Sequence, residues 1–172
     1  KRGQKWVRQL STHTPPGTLN IGPDARPATV RMIAYGPETF VDLPVLDIAE
    51  ISAHRGQYSV IWINVDGLGD AKTIERLGEF FNLHRLALED VASQHQRAKI
   101  DDYGDHLFIV MRMASCEERA QTEQLSLFLG KNFVLTFQGG PPGDSFDRVR
   151  QRIRDQAGKI GSRGPDYLAY AL

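Results

Sequence analysis

The sequence predicts a mixed α/β fold, and three observations carry that expectation. Residues 59–65, Ser-Val-Ile-Trp-Ile-Asn-Val, are apolar toward both faces of an extended chain, the mark of a strand inside a sheet. Residues 71–81 set Ile74, Leu77 and Phe81 at helical spacing. Four further strand candidates, 98–103, 106–113, 122–129 and 133–137, are joined by turn-like links, which favours antiparallel hairpins.

Size and composition agree with one globular domain. The chain has 172 residues, 41% hydrophobic and 24% charged, enough to bury a core without covalent staples. Its 21 basic and 21 acidic residues cancel, so no global field draws nucleic acid or anionic lipid. Cys116 is the only cysteine, which rules out an intrachain disulfide and reads as a bystander thiol. No apolar run nears the ~20 residues that cross a bilayer, and the N-terminus has no signal-peptide core. The expectation is a soluble, cytosolic chain.

Taken in order, residues 1–28 lack periodicity and carry Thr14-Pro15-Pro16-Gly17 and Gly22-Pro23, so they read as a flexible arm with a basic start at Lys1, Arg2, Lys5 and Arg8. Residues 29–35 read as a strand and 39–43 as a short one. Asp47 and Glu50 have capping-box spacing for a short helix with Ile48 and Ile51 on its apolar side. After the strand over 59–65, Asp66-Gly67-Leu68-Gly69-Asp70 opens like a phosphate-binding loop. Lys72 stands where a dinucleotide pattern needs its third glycine, and Asp70 reads as a helix N-cap.

A second helix follows Asn82-Leu83, with Leu83, Ala87 and Val91 as its buried stripe. At about 100° per residue, Asp90 lies about 60° off that stripe and Glu89 nearly opposite it, so both carboxylates reach solvent or a partner. Beyond the hairpins and Gly139-Gly140-Pro141-Pro142-Gly143, residues Phe146, Val149, Ile153, Ala157 and Ile160 form one helical stripe. Pro165 sits early in a last helix whose apolar pattern runs to Leu172 without a stop signal.

The run from Trp62 to Met113 resembles the CorA family of divalent-cation channels. The matching pieces are Trp62-Ile63-Asn64-Val65, residues 77–84 (Leu-Gly-Glu-Phe-Phe-Asn-Leu-His), Leu88-Glu89-Asp90-Val91, residues 95–100 (His-Gln-Arg-Ala-Lys-Ile) and residues 106–110 (His-Leu-Phe-Ile-Val). Residues 146–154 and 166–170 continue it, and the resemblance spans about residues 17–172 in order. Ala98 stands where members often carry proline.

The resemblance implies a cytosolic N-terminal domain over 29–172, cut at the start of a stalk helix. A mixed, partly antiparallel sheet would lie between helices in a three-layer αβα arrangement. It implies a membrane-embedded homopentameric magnesium/cobalt channel, with this domain on the cytoplasmic face. Mg2+ between neighbouring subunits would favour the closed pore. The pore and its Gly-Met-Asn loop are not in this sequence. The sensor ligands carried over are Glu89 and Asp90.

Magnesium takes oxygen ligands, keeps much of its water and often uses one or two carboxylates, which an adjacent Glu-Asp pair can supply. One exposed pair binds at about the millimolar level, about −4 kcal/mol, so further oxygens must come from a neighbour or from other sequence. Mg2+ is thus expected as a weak regulatory ion in the isolated domain, with Co2+ as a second cation. The bland alternative is a solvated acidic step on a helix. Asp101, Asp102 and Asp105 miss the calcium-loop spacing and read as hairpin-end charges, while His84 and His95 lack the i, i+4 spacing of a zinc helix. A related zinc transporter is the nearest alternative. A mixed α/β enzyme has no nucleophile elbow, complete phosphate loop or Cys-His pairing to support it. Nucleic-acid binding by Arg148, Arg150, Arg152 and Arg154 suffers from their i, i+2 spacing, which spreads them around a helix. No catalytic residue, small-molecule substrate or nucleic-acid partner is expected.

Overall fold

A computed structural model describes the backbone of residues 15–116 and 120–172 and, within these, every side chain except those of 115, 116, 120 and 121. The basic cluster of the first eight residues and the Cys116 thiol lie outside the described residues and side chains. The elements run β1 Thr29–Tyr35, β2 Phe40–Pro44, α1 Ala49–His54, β3 Val60–Asp66, α2 Ala71–Phe81, α3 Arg85–Ser93, β4 Lys99–Asp102, β5 His106–Cys116, β6 Ala120–Gly130, β7 Phe133–Gln138, α4 Asp147–Arg154, a 3-10 turn Ile160–Ser162 and α5 Pro165–Ala171.

Seven described strands form one sheet in the order β2-β1-β3-β7-β6-β5-β4. Every neighbouring pair is antiparallel except β3 and β7, which run parallel from Ile61↔Phe133 to Asp66↔Gln138. The two-sided apolar pattern of β3 explains its central place, since Val60 through Val65 are all buried. Inside the sheet, Thr136 Oγ1 accepts from Trp62 Nε1 at 3.0 Å and donates to Asn64 Oδ1 at 2.6 Å, so these buried polar groups satisfy one another.

Two apolar cores make the expected three layers. On one face Ile48, Ile51, Ile74, Leu77, Ala87 and Val91 from α1–α3 and the residue before α1 pack on Met32, Ile63, Phe108 and Leu135. On the other face Phe146, Val149, Ile153, Ile160 and Leu168 pack on Ile33, Trp62, Leu127 and Val134. The alternation of side chains along each strand sends neighbours to opposite cores.

Local chemistry sets the helix ends. The Asp47–Glu50 box forms: Ala49 N–H donates to Asp47 Oδ1 at 3.1 Å and Asp47 N–H to Glu50 Oε1 at 3.0 Å. Asp70 caps α2, accepting from Lys72 N–H at 3.0 Å and Thr73 Oγ1 at 2.7 Å. The stripe from Phe146 to Ile160 is not one helix. It stops at Arg154 because Gln156 turns left-handed (φ 49°), with Ala157 N–H donating to Arg152 O at 2.8 Å and Gln156 N–H to Ile153 O at 3.1 Å. Ile160 is still fully buried, because the turn delivers it to the same core.

Residues 15–28 of the expected arm lie along the domain. Leu19, Ile21 and Ala28 pack against the first core, and Gly69 N–H donates to Arg26 O at 2.6 Å. Gly67 (φ +91°) would place a Cβ 2.2 Å from Pro27 O, and Gly69 one 2.5 Å from Arg26 O. The two glycines of the loop-like motif thus serve the close approach of residues 25–27.

Candidate metal centre

The crossing of α2 and α3 positions the two predicted acids. Asn82 ends α2 in the left-handed region (φ 54°), and Leu83 N–H donates back to Gly78 O at 2.8 Å. His84 then caps α3, its Nδ1 accepting from Leu86 N–H at 3.3 Å. A Cβ on Gly78 would lie 2.3 Å from Leu88 Cδ1, so the glycine lets the helices approach. Ala87, Leu88 and Val91 are buried by this packing, and Glu89 and Asp90 are left half-buried on the outer side.

The acids are neighbours in sequence but face different partners. Glu89 Oε2 accepts from Gly17 N–H at 2.8 Å. Asp90 Oδ2 accepts from Lys99 Nζ at 2.7 Å, and the same ammonium reaches Asp101 Oδ2 at 2.7 Å. Lys99 also lies over the Phe108 ring, 5.5 Å from its centroid. Burial pulls Lys99 down, but the hydrogen bonds it donates to Asp101 and Asp90 outweigh it and hold the group above the usual lysine range. Ser93 Oγ and Gln124 Nε2 donate to Asp90 O at 3.1 and 3.0 Å, which anchors the end of α3 to the sheet.

The carboxylates fit magnesium in kind, being hard oxygen donors at a wet surface. In number they do not suffice, since no group of three or more His, Cys, Asp or Glu side chains converges among the described residues. Any ion held by Glu89 or Asp90 needs oxygens from elsewhere. His84 is engaged in its cap and stacks on Tyr103 at 5.0 Å, which stacks on His106 at 5.3 Å. His95 is exposed.

Sequence reasoning missed Lys99, whose bond to Asp90 crosses from β4 to α3. It also missed a second charged cluster at the carboxyl ends of β3 and β7. There Asp66, Asp144, Arg150 and Asn64 border a cleft of about 400 Å³. Arg150 holds Asp144 through both guanidinium ends, one at 2.6 Å, and lies 5.3 Å from the Trp62 ring centroid. Burial alone would raise Asp144, but the Arg150 guanidinium and Phe146 N–H keep its carboxyl below the usual range. Arg26 pairs with Asp66 and donates to Gly140 O at 2.8 Å. Glu123 nearby is pushed up, chiefly by burial. Of the arginine run, Arg150, Arg152 and Arg154 are turned to Asp144, Tyr167 and Asp42, which uses them inside the fold.

The family described as CorA-like Mg2+ transporter protein matches residues 57–172. The cobalt/magnesium transport protein CorA of Thermotoga maritima is 37% identical over 162 residues, 92% of this chain and 46% of that protein. Among solved structures, the soluble domain of CorA from Methanocaldococcus jannaschii aligns with a TM-score of 0.60 at 17% identity, over 83% of this chain and 53% of that one. The complete CorA magnesium transporter of the same organism aligns with a TM-score of 0.55 at 15% identity, over 84% and 42%. The chain therefore spans about half the length of the proteins it matches, and the shared three-layer fold extends across most of it.

Proposed function

We propose a function from the premise that this chain belongs to the CorA-like Mg2+ transporter family. The chain is the regulatory, non-enzymatic, cytosolic part of a membrane-embedded homopentameric magnesium/cobalt channel. Mg2+ held at Glu89 and Asp90, with oxygens from an adjacent subunit, favours the closed pore, and its loss favours opening. One observation of the fold supports the site: α3 buries Ala87, Leu88 and Val91 and leaves the adjacent acids Glu89 and Asp90 half-buried on its outer side, where a second surface can complete a hydrated ion's shell. Hard oxygen donors favour Mg2+ over Zn2+ at such a place.

The test uses the full-length protein. Mg2+ is expected to protect it from limited proteolysis, and Asp90→Ala to raise the half-protecting Mg2+ concentration about tenfold, the equivalent of ~1.4 kcal/mol. Protection that is unchanged in this variant counts against Asp90 as a ligand.

A further inference from the structure

Lys99 stands where a bridging cation would stand. Its Nζ is 2.7 Å from Asp90 Oδ2 and 2.7 Å from Asp101 Oδ2, so one ammonium joins carboxylates from α3 and β4. The three side chains retain 24%, 32% and 39% of their exposure for Asp90, Lys99 and Asp101, so water reaches the group. Each contact is a single-point bond from a flexible four-carbon stem, which can swing away without a backbone change. The ammonium also lies over the Phe108 ring, 5.5 Å from its centroid. With Lys99 in place the three groups sum to one negative charge; with it displaced, Asp90 and Asp101 present two.

We infer that the Lys99 ammonium is a built-in competitor for the divalent cation at Asp90, so that an ion binding there must displace it. Lys99 then sets the cation concentration at which the site fills, holding it high enough that the ion leaves when the cation becomes scarce. The inference rests on the reading of Asp90 as a ligand. It assigns Lys99 a part that its place in the fold, tying α3 to β4, does not require.

The experiment compares Lys99→Gln, Lys99→Met and Lys99→Arg in the full-length protein, with half-protecting Mg2+ concentration in limited proteolysis as the readout and melting in EDTA as the check on folding. The two neutral variants should need about tenfold less Mg2+, the equivalent of ~1.4 kcal/mol, since the incoming ion no longer has to break the ammonium's bonds to Asp90 and Asp101. Lys99→Arg, which keeps the charge, should need as much as the parent or more. Adding Asp90→Asn to Lys99→Gln should abolish the gain. If both neutral variants need as much Mg2+ as the parent while Asp90→Asn alone still weakens protection, the inference is overturned and the reading of Asp90 stands. If Asp90→Asn alone has no effect, both fall. If both neutral variants fail to melt cooperatively in EDTA, Lys99 is a structural tie and the inference is overturned.

Discussion

Asp144 with Arg150 and Asp90 with Lys99 are both ion pairs set where a helix meets the sheet, one on each face. The first is nearly sealed: the two side chains keep 4% and 11% exposure, the guanidinium grips the carboxylate at both oxygens, and Asn64 and Gln138 complete the acid's contacts at 3.2 and 3.3 Å. The second keeps 24% and 32% exposure, and its ammonium is shared with Asp101. The acid is the same; the base and the surroundings differ. A planar guanidinium bonded through both ends to a largely buried carboxylate is held in place. A lysine at a wet surface can trade its place with another cation. The comparison separates a charge pair closed off within the fold from one still open to water.

The largest expected effect breaks the sealed pair. Arg150→Met leaves Asp144 buried without its cation and should cost about 3 kcal/mol, read as a lowered midpoint in denaturant unfolding. A loss below ~1 kcal/mol would show the pair to be as exchangeable as Lys99.

Acid sharpens the same contrast with a smaller effect. The folded Asp144 carboxyl lies below its ordinary value. Its contribution is therefore fully present above about pH 4, the unfolded value, and is lost as pH falls through the lower folded value. Stability measured from pH 5 down to pH 2 should fall more steeply in the parent than in Arg150→Met, which has already lost the partner. Parallel slopes would remove Asp144 from the account.

The smallest stability effect belongs to the open pair. Lys99→Gln should change the unfolding free energy by under ~1 kcal/mol without divalent cation, as partly exposed ion pairs generally do. A loss as large as that of Arg150→Met would erase the difference between the two regions.

Much of the fold was legible because its signals are local. The strand over 29–35 matches β1 to the residue, and Asp70 and the Asp47–Glu50 box do the capping their spacing implies. Periodicity overreached after Arg154, where burial continued but the helix did not, because a left-handed Gln156 turned the chain back. It could not tell a buried helix face from a turn that returns to the same core. Of the candidate site, the outward placement of Glu89 and Asp90 followed from helical geometry alone. Their partners, Gly17 at a separation of 72 residues and Lys99 across two elements, carried no signal in spacing.

What the sequence determined by itself was most of the elements, the caps at Asp47 and Asp70 and the α/β class, each from residues a few positions apart, and the family, from short pieces kept in order between Trp62 and Tyr170. The tertiary structure alone decided the parallel pairing of β3 with β7, the docking of residues 25–27 on Gly67 and Gly69, and which charges are sealed or open. The physical reason is range. Propensity and capping act within a turn or two, whereas burial, pairing and the solvation of a charge are set by whatever distant chain the fold brings beside it.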